Sequence, residues 1–137
     1  MTKYLIDTCI WLDYYENRSD KFRPLGDWAL ELLNLITKIK AIVIISDYLI
    51  RELLLHYDLK TVQNIISIIP RKQQLRIVIS NNLLKKAAAI VKIRNVSFID
   101  AVHAVTAGSH RAIIITRDHH FEELTDIAPF AKPEDLI

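Results

Sequence analysis

Four acidic residues, Asp7, Glu52, Asp100 and Asp118, stand at places from which a small chain could bring them together. Asp7 closes the hydrophobic run KYLID and is followed by Thr8, and Asp118 closes Thr116-Arg117-Asp118 after the run AIIIT. Glu52 lies about two turns into the helical stretch after Ser46, and Asp100 in the first turn of a helix opened by Ser97. Gathered carboxylates repel one another unless a cation neutralises them. Oxygen-only ligation favours hard divalent ions such as Mg²⁺ or Mn²⁺. An ion of this kind commonly binds a phosphate-bearing substrate, lowers the pKa of a bound water and stabilises an in-line displacement.

Each acid also has a plainer reading. Ser97-Phe98-Ile99-Asp100 resembles a capping box, Glu52 could pair with His56 one turn on, and Asp118 could be a turn residue. Asp7 is the hardest to dismiss, because a carboxylate that ends an apolar strand is at least partly buried.

The elements that must position these acids follow from hydrophobic period. Lys3–Asp7 reads as a strand and Thr8–Tyr15 as a helix. Trp28, Leu32, Leu35, Ile36 and Ile39 recur at helical spacing behind Pro24, which suits a first turn. Ala41–Ser46 is a continuous β-branched run, as expected of a strand buried on both faces of a parallel sheet. Asp47–Tyr57 and Thr61–Ile69 return to helical period, the second stopped by Pro70. Leu75–Ile79 is a third strand, followed by a helix from Ser80 or Asn81 to about Arg94. A further helix opens at Ser97 and ends near Gly108. Ala112–Thr116 is a fourth strand, His119–Leu124 one helical turn, and Ile127–Phe130 a short edge strand in which Pro129 is tolerable. Strands alternating with helices predict an α/β fold, a parallel sheet with helices on both faces, formed by one domain over residues 1–137. In such a sheet ligands bind beyond the carboxyl ends of the strands. If the first and fourth strands are neighbours, Asp7 and Asp118 converge there and Asp100 points into the same pocket.

Composition narrows the chemistry. The chain has 137 residues, 51% hydrophobic and 25% charged, with only 2 Gly and 4 Pro. That excludes collagen-like sequence, flexible linkers and a glycine-rich phosphate loop. The single cysteine, Cys9, excludes an intramolecular disulfide and a cysteine-based metal site, and reads as a small core residue in a reducing compartment. The N-terminal stretch is too short and too polar for a signal peptide, and no apolar run approaches a membrane-spanning length. The expectation is a cytoplasmic protein with no membrane partner.

The net charge of +2 conceals an asymmetry. Leu59–Ile99 holds eight basic residues and no acid, whereas the remainder holds 10 basic and 16 acidic residues. Such a division hints at a polyanionic partner, although a solvated helix face would produce the same pattern.

Four stretches together carry a family resemblance: YLIDTCIWLDYYE, ISDYLIRELL, SFIDAVHAVTA and IIITRDHHFEEL, running from Tyr4 to Leu124. In their order and spacing the chain resembles PIN-domain proteins, and in size the VapC toxins of prokaryotic toxin–antitoxin pairs. The resemblance implies that Asp7, Glu52, Asp100 and Asp118 hold one or two Mg²⁺ or Mn²⁺ ions. It implies that Thr8, Ser46 and Thr116 hydrogen-bond those carboxylates or a metal-bound water. It further implies strand order 3-2-1-4-5, a homodimer, metal-dependent endoribonuclease activity and a small antitoxin that covers the site. One departure is visible: Ser109-His110-Arg111 stands where many family members have a Gly before the fourth strand, which puts the local turn in question. The closing stretch APFAKPEDLI supports little.

RNA must approach this anionic pocket, and nearby cations would offset the repulsion. Arg117, within the acidic motif, and Lys85, Lys86, Lys92 and Arg94 are the candidate phosphate contacts. His103, three residues after Asp100, is expected at the rim of the site, and His119 and His120 in a loop near RNA. A His-plus-carboxylate zinc site is the competing reading. Trp11, Tyr14, Tyr15 and Trp28 could stack on bases, pack in the core or face a partner protein. No G-x-S-x-G elbow exists. Three alternatives remain: a PIN-like RNA-binding module without catalysis, a housekeeping nuclease with no antitoxin, and a phospho-accepting receiver. A receiver needs an Asp after its third strand, where this chain has Ser80-Asn81.

Overall fold

The computed structural model describes all 137 residues. Its central strand is β1 (Lys3–Ile6), followed by helices α1 (Thr8–Glu16) and α2 (Leu25–Lys38) and by strand β2 (Ile42–Ser46). Helices α3 (Asp47–Leu54) and α4 (Leu59–Ile66) lead to β3 (Gln74–Ile77). Helices α5 (Asn81–Ile93) and α6 (Phe98–Ser109) lead to β4 (Ile113–Ile115) and the two-residue β5 (Phe130–Ala131). Short 3-10 turns occupy Arg71–Gln73, His119–Leu124 and Pro133–Asp135.

All five strands are parallel, in the order β3-β2-β1-β4-β5, as the resemblance implies. The register sets Leu5 beside Ile44 on one side and Ile114 on the other. Successive side chains on a strand point to opposite faces, so the same strands feed two cores. Tyr4, Ile6, Val43 and Ile45 pack with Ile10, Trp11, Leu32, Leu33 and Leu53 of α1, α2 and α3. Leu5, Ile44 and Ile114 pack with Ala104 and Ala107 of α6 and with Phe121 and Leu124. The helices therefore cover both faces of the sheet.

Several boundaries move from their expected places for local reasons. Helix α3 ends at Leu54, and the Asp58 side chain, accepting from the Thr61 amide (2.8 Å), starts α4 two residues early. Strand β3 ends at Ile77, before Ser80, whose Oγ accepts from the Leu83 amide and caps α5 (3.2 Å). Strand β5 begins only at Phe130, because the Ile127 and Ala128 amides still bond to the Leu124 carbonyl. Pro129 keeps its ladder role as an acceptor, taking a bond from the Ile114 amide (2.9 Å).

The turn before β4 forms without glycine. Arg111 takes φ 54°, the left-handed region where glycine is the easy choice. Helix α6 ends at Ser109, near Gly108 as expected, but Gly108 is not a left-handed cap. It lies inside α6, and a Cβ there would fall 2.6 Å from the Ile127 carbonyl oxygen, so its role is close approach.

Candidate active site

Asp7 and Asp118 lie just past the ends of β1 and β4, Asp100 in the first turn of α6 and Glu52 in the second half of α3. Asp7 follows the last residue of β1, and its Oδ1 accepts from the Thr8 amide at 2.8 Å, capping α1. Its Oδ2 accepts from Thr116 Oγ1, at the end of β4, at 2.8 Å. Thr116 Oγ1 also accepts from the Asp118 amide at 3.0 Å, so one buried hydroxyl ties together the segments that carry two of the acids.

Asp100 is 8% exposed in the first turn of α6, where the Ser97 hydroxyl accepts from its amide at 3.2 Å. It is thus both the third residue of a capped helix and a buried acid. Burial raises its carboxyl above the usual range against the opposing hydrogen bond from Ser97, and the charges of Asp118 and Asp7 raise it further. The carboxylates of Asp100 and Asp118 and the His120 ring lie within 4.8 Å of one another, as do Asp7, Glu52 and His103.

Glu52 approaches from α3. Its Oε1 accepts from Thr8 Oγ1 at 2.8 Å and stands 2.8 Å from His103 Nε2. Burial pushes the Glu52 carboxyl up, but the hydrogen bond and charge of His103, with the Thr8 hydroxyl, hold it below its ordinary range. Burial in turn pulls His103 down, yet its bond to Glu52 and the charges of Asp7, Glu52 and Asp100 outweigh this and raise it.

The structure therefore brings Asp7, Glu52, Asp100 and Asp118 to one edge of the sheet, with Thr8 and Thr116 bonded to their carboxylates. Ser46 behaves differently: its Oγ accepts from the Leu49 amide at 3.0 Å and caps α3. His103 is not at the rim. It is completely buried on α6, pressed between Glu52 and Asp7, whose Oδ1 is 3.9 Å from Nε2. Only His119 and His120 are exposed as expected. Trp11 is a core residue with no exposure, donating from Nε1 to the Ile6 carbonyl (3.2 Å). Burial and the Asp7 charge push the Cys9 thiol up to about 12, so it remains protonated and unreactive.

Arg117 turns away from the acids. Its Nε donates to Asp13 Oδ2 (3.2 Å) and a terminal nitrogen to Glu134 Oε2 (2.9 Å), while its guanidinium lies over the Trp28 ring. Local sequence carried no signal for Asp13, which is 4% exposed and has its carboxyl raised by burial despite Arg117. Arg94 is held by Asp126 in a two-pronged pair at 2.7 and 2.8 Å. Lys85, Lys86 and Lys92 are exposed on α5, with Lys86 beside Val105, Gly108 and Ser109 at the C-terminal end of α6. The Asp100 end of α6 lies about 12 Å away along its axis.

A parallel α/β sheet with carboxylates gathered beyond the ends of β1 and β4 defines a class of proteins that place an acidic pocket at the strand termini. The sequence model of the PIN domain family matches residues 4–127, and the chain belongs to that family. No curated protein matches the chain. Among solved structures, VapBC2 from Rickettsia felis, bound to a DNA fragment from their promoter, has a similar chain: TM-score 0.68, 16% identity, covering 96% of this chain and 98% of that one. A toxin–antitoxin complex from Klebsiella pneumoniae is similar at TM-score 0.66 and 22% identity, covering 95% and 97%. FitAcB from Neisseria gonorrhoeae is similar at TM-score 0.62 and 19% identity, covering 97% and 99%. At these identities the likeness establishes the fold.

The donor set fits a divalent cation. All four acids offer oxygen, the ligand type that hard divalent ions favour, and Asp7, Asp100 and Asp118 are close enough for their charges to repel, which a cation would relieve. No helix is long and apolar enough to cross a membrane.

Proposed function

We propose that the chain is a divalent-metal-dependent endoribonuclease that hydrolyses RNA phosphodiester bonds, and the toxin of a toxin–antitoxin pair. The observation that carries the reading is the gathering of Asp7, Asp100 and Asp118 at one sheet edge, with Asp100 buried against the other charges. Family membership and the likeness to chains from toxin–antitoxin complexes support it.

Asp7, Asp100 and Asp118 would hold Mg²⁺ or Mn²⁺, with Glu52 completing the site directly or through water, for one or two ions. When bound, the ion supplies a water of lowered pKa and charge for the phosphate. Thr116 holds Asp7 Oδ2 in place and fixes the backbone of Asp118. Thr8 orients Glu52. Lys92 of α5 offers charge to the RNA backbone, with Lys85 and Lys86 farther along the same helix. A homodimer, a small antitoxin over the acidic edge and a cytoplasmic location complete the proposal.

The test is cleavage of single-stranded RNA by the purified chain. Activity should require Mg²⁺ or Mn²⁺, and Asp7→Asn and Asp100→Asn should abolish it with the fold intact. Undiminished cleavage by both variants, or in excess chelator, refutes the mechanism.

A further inference from the structure

His103 is the residue that the acidic edge does not explain by itself. Helix α6 fills its inner face with small apolar residues, among them Ala101, Val102, Ala104 and Ala107. A Leu or Met at position 103 would fill the same volume. The imidazole instead leaves its Nδ1 buried without a partner, a cost an apolar side chain would not incur. What the ring does contact is Glu52: Nε2 lies 2.8 Å from Oε1, the same oxygen that accepts from Thr8 Oγ1.

Two donors on one oxygen restrict what Glu52 can do. Oε1 is engaged from α1 and from α6, so the carboxylate is clamped at the side of the pocket formed by Asp7 and His103. Asp100 and Asp118 form their group with His120 instead. We infer that His103 is a positioning residue: with Thr8 it fixes Oε1 of Glu52, so that the carboxylate meets the cation site in one orientation. The inference rests on the metal-dependent reading above and adds to that site a residue that orients one of its acids. Groups that orient metal ligands without touching the metal commonly change affinity by about 10–100-fold when removed.

Mn²⁺ titration of the full chain, followed by electron paramagnetic resonance, tests this without reference to cleavage. Asp100→Asn should eliminate measurable binding. Glu52→Ala and His103→Ala should each weaken it about tenfold or more, and the double variant should be no weaker than Glu52→Ala alone, because without Glu52 the imidazole has no carboxylate to hold. His103→Gln, which keeps a donor, should recover most of the affinity. An Mn²⁺ affinity unchanged in a folded His103→Ala chain would overturn the inference, because Glu52 would then need no clamp. So would additive losses in the double variant, or a nitrogen coupling in the Mn²⁺ spectrum that disappears in His103→Gln. Should His103→Ala fail to fold, Thr8→Val decides: it loosens the same oxygen without emptying the core, and an unchanged Mn²⁺ affinity refutes the clamp. If the unaltered chain binds no Mn²⁺, the metal-dependent reading itself falls; normal binding with indifferent His103 variants sinks the clamp alone.

Discussion

Thr116 and Asp7, 109 positions apart in the chain, are joined by a 2.8 Å hydrogen bond from the threonine hydroxyl to Oδ2 of the carboxylate. The bond exists because β1 and β4 are parallel neighbours in register, Ile6 beside Ile115, so that the residues following each strand meet at the same edge. The same hydroxyl accepts from the Asp118 amide, so its loss should be felt at two acids.

Thr116→Val keeps the shape and removes both bonds. The buried carboxylate and amide are left short of a partner, so stability should fall by about 1–3 kcal/mol in urea unfolding. Mn²⁺ affinity should fall by about 10–100-fold. A variant with unaltered affinity would show that Asp7 needs no such tether.

Asp100 should make the metal-free chain sensitive to pH. Its folded carboxyl lies above the ordinary 3.8, so just above that value the folded state keeps a proton that the unfolded state has lost. Stability contributed by this group is therefore present at low pH and lost as pH rises through the raised value. Asp100→Asn should flatten that slope and, at neutral pH without metal, unfold at a higher temperature than the unaltered chain. An ion present at a hundred times its Kd adds about 2.7 kcal/mol to the unaltered chain alone, reversing the order. Differential scanning calorimetry with and without Mn²⁺ reads both effects.

Arg117 is a structural residue by its contacts. Arg117→Met leaves Asp13, which is 4% exposed, with only the more distant Arg18 (3.9 Å) and Glu134 without its cation, a loss of up to about 3–5 kcal/mol. Adding Asp13→Asn should restore part of it, which chemical unfolding of the single and double variants would show. By contrast, Arg94→Ala removes an exposed pair with Asp126 and should cost less than about 1 kcal/mol.

The lysines of α5 should reveal themselves through salt. For catalytically silent Asp7→Asn chain binding single-stranded RNA, each phosphate contact removed should reduce the slope of log K against log salt by about 0.7. Lys92→Ala should do so, and Arg117→Met should not, since its guanidinium is engaged internally. Equal slopes for Lys92→Ala and its parent would remove α5 from the RNA path.

Much of this fold was legible because its signals are local. Ala41–Ser46 and Ala112–Thr116 are uninterrupted β-branched runs, and strands β2 and β4 fall inside them. Ser46, Ser80 and Ser97 announce helix starts through hydroxyls that bond three residues on. Strand β5 was misplaced because Ile127 looks like a strand residue, while a turn bond to Leu124 holds it elsewhere. Arg111 at φ 54° shows the turn closing where no glycine signals it.

The site divides in the same way. That Asp7 and Asp118 would follow strands, and that Asp100 would open a helix, is a property of residue type and of hydrophobic period, both readable along the chain. The direction in which neighbouring side chains point is not. Arg117 lies within the acidic motif yet faces Asp13 and Glu134, and His103 lies one turn from Asp100 yet is buried against Glu52 from another helix. Those choices depend on partners 51, 104 and 17 positions away, respectively for His103 with Glu52 and for Arg117 with Asp13 and Glu134. Burial and pairing are decided by what packing places opposite a side chain, so only the assembled sheet and helices could decide them.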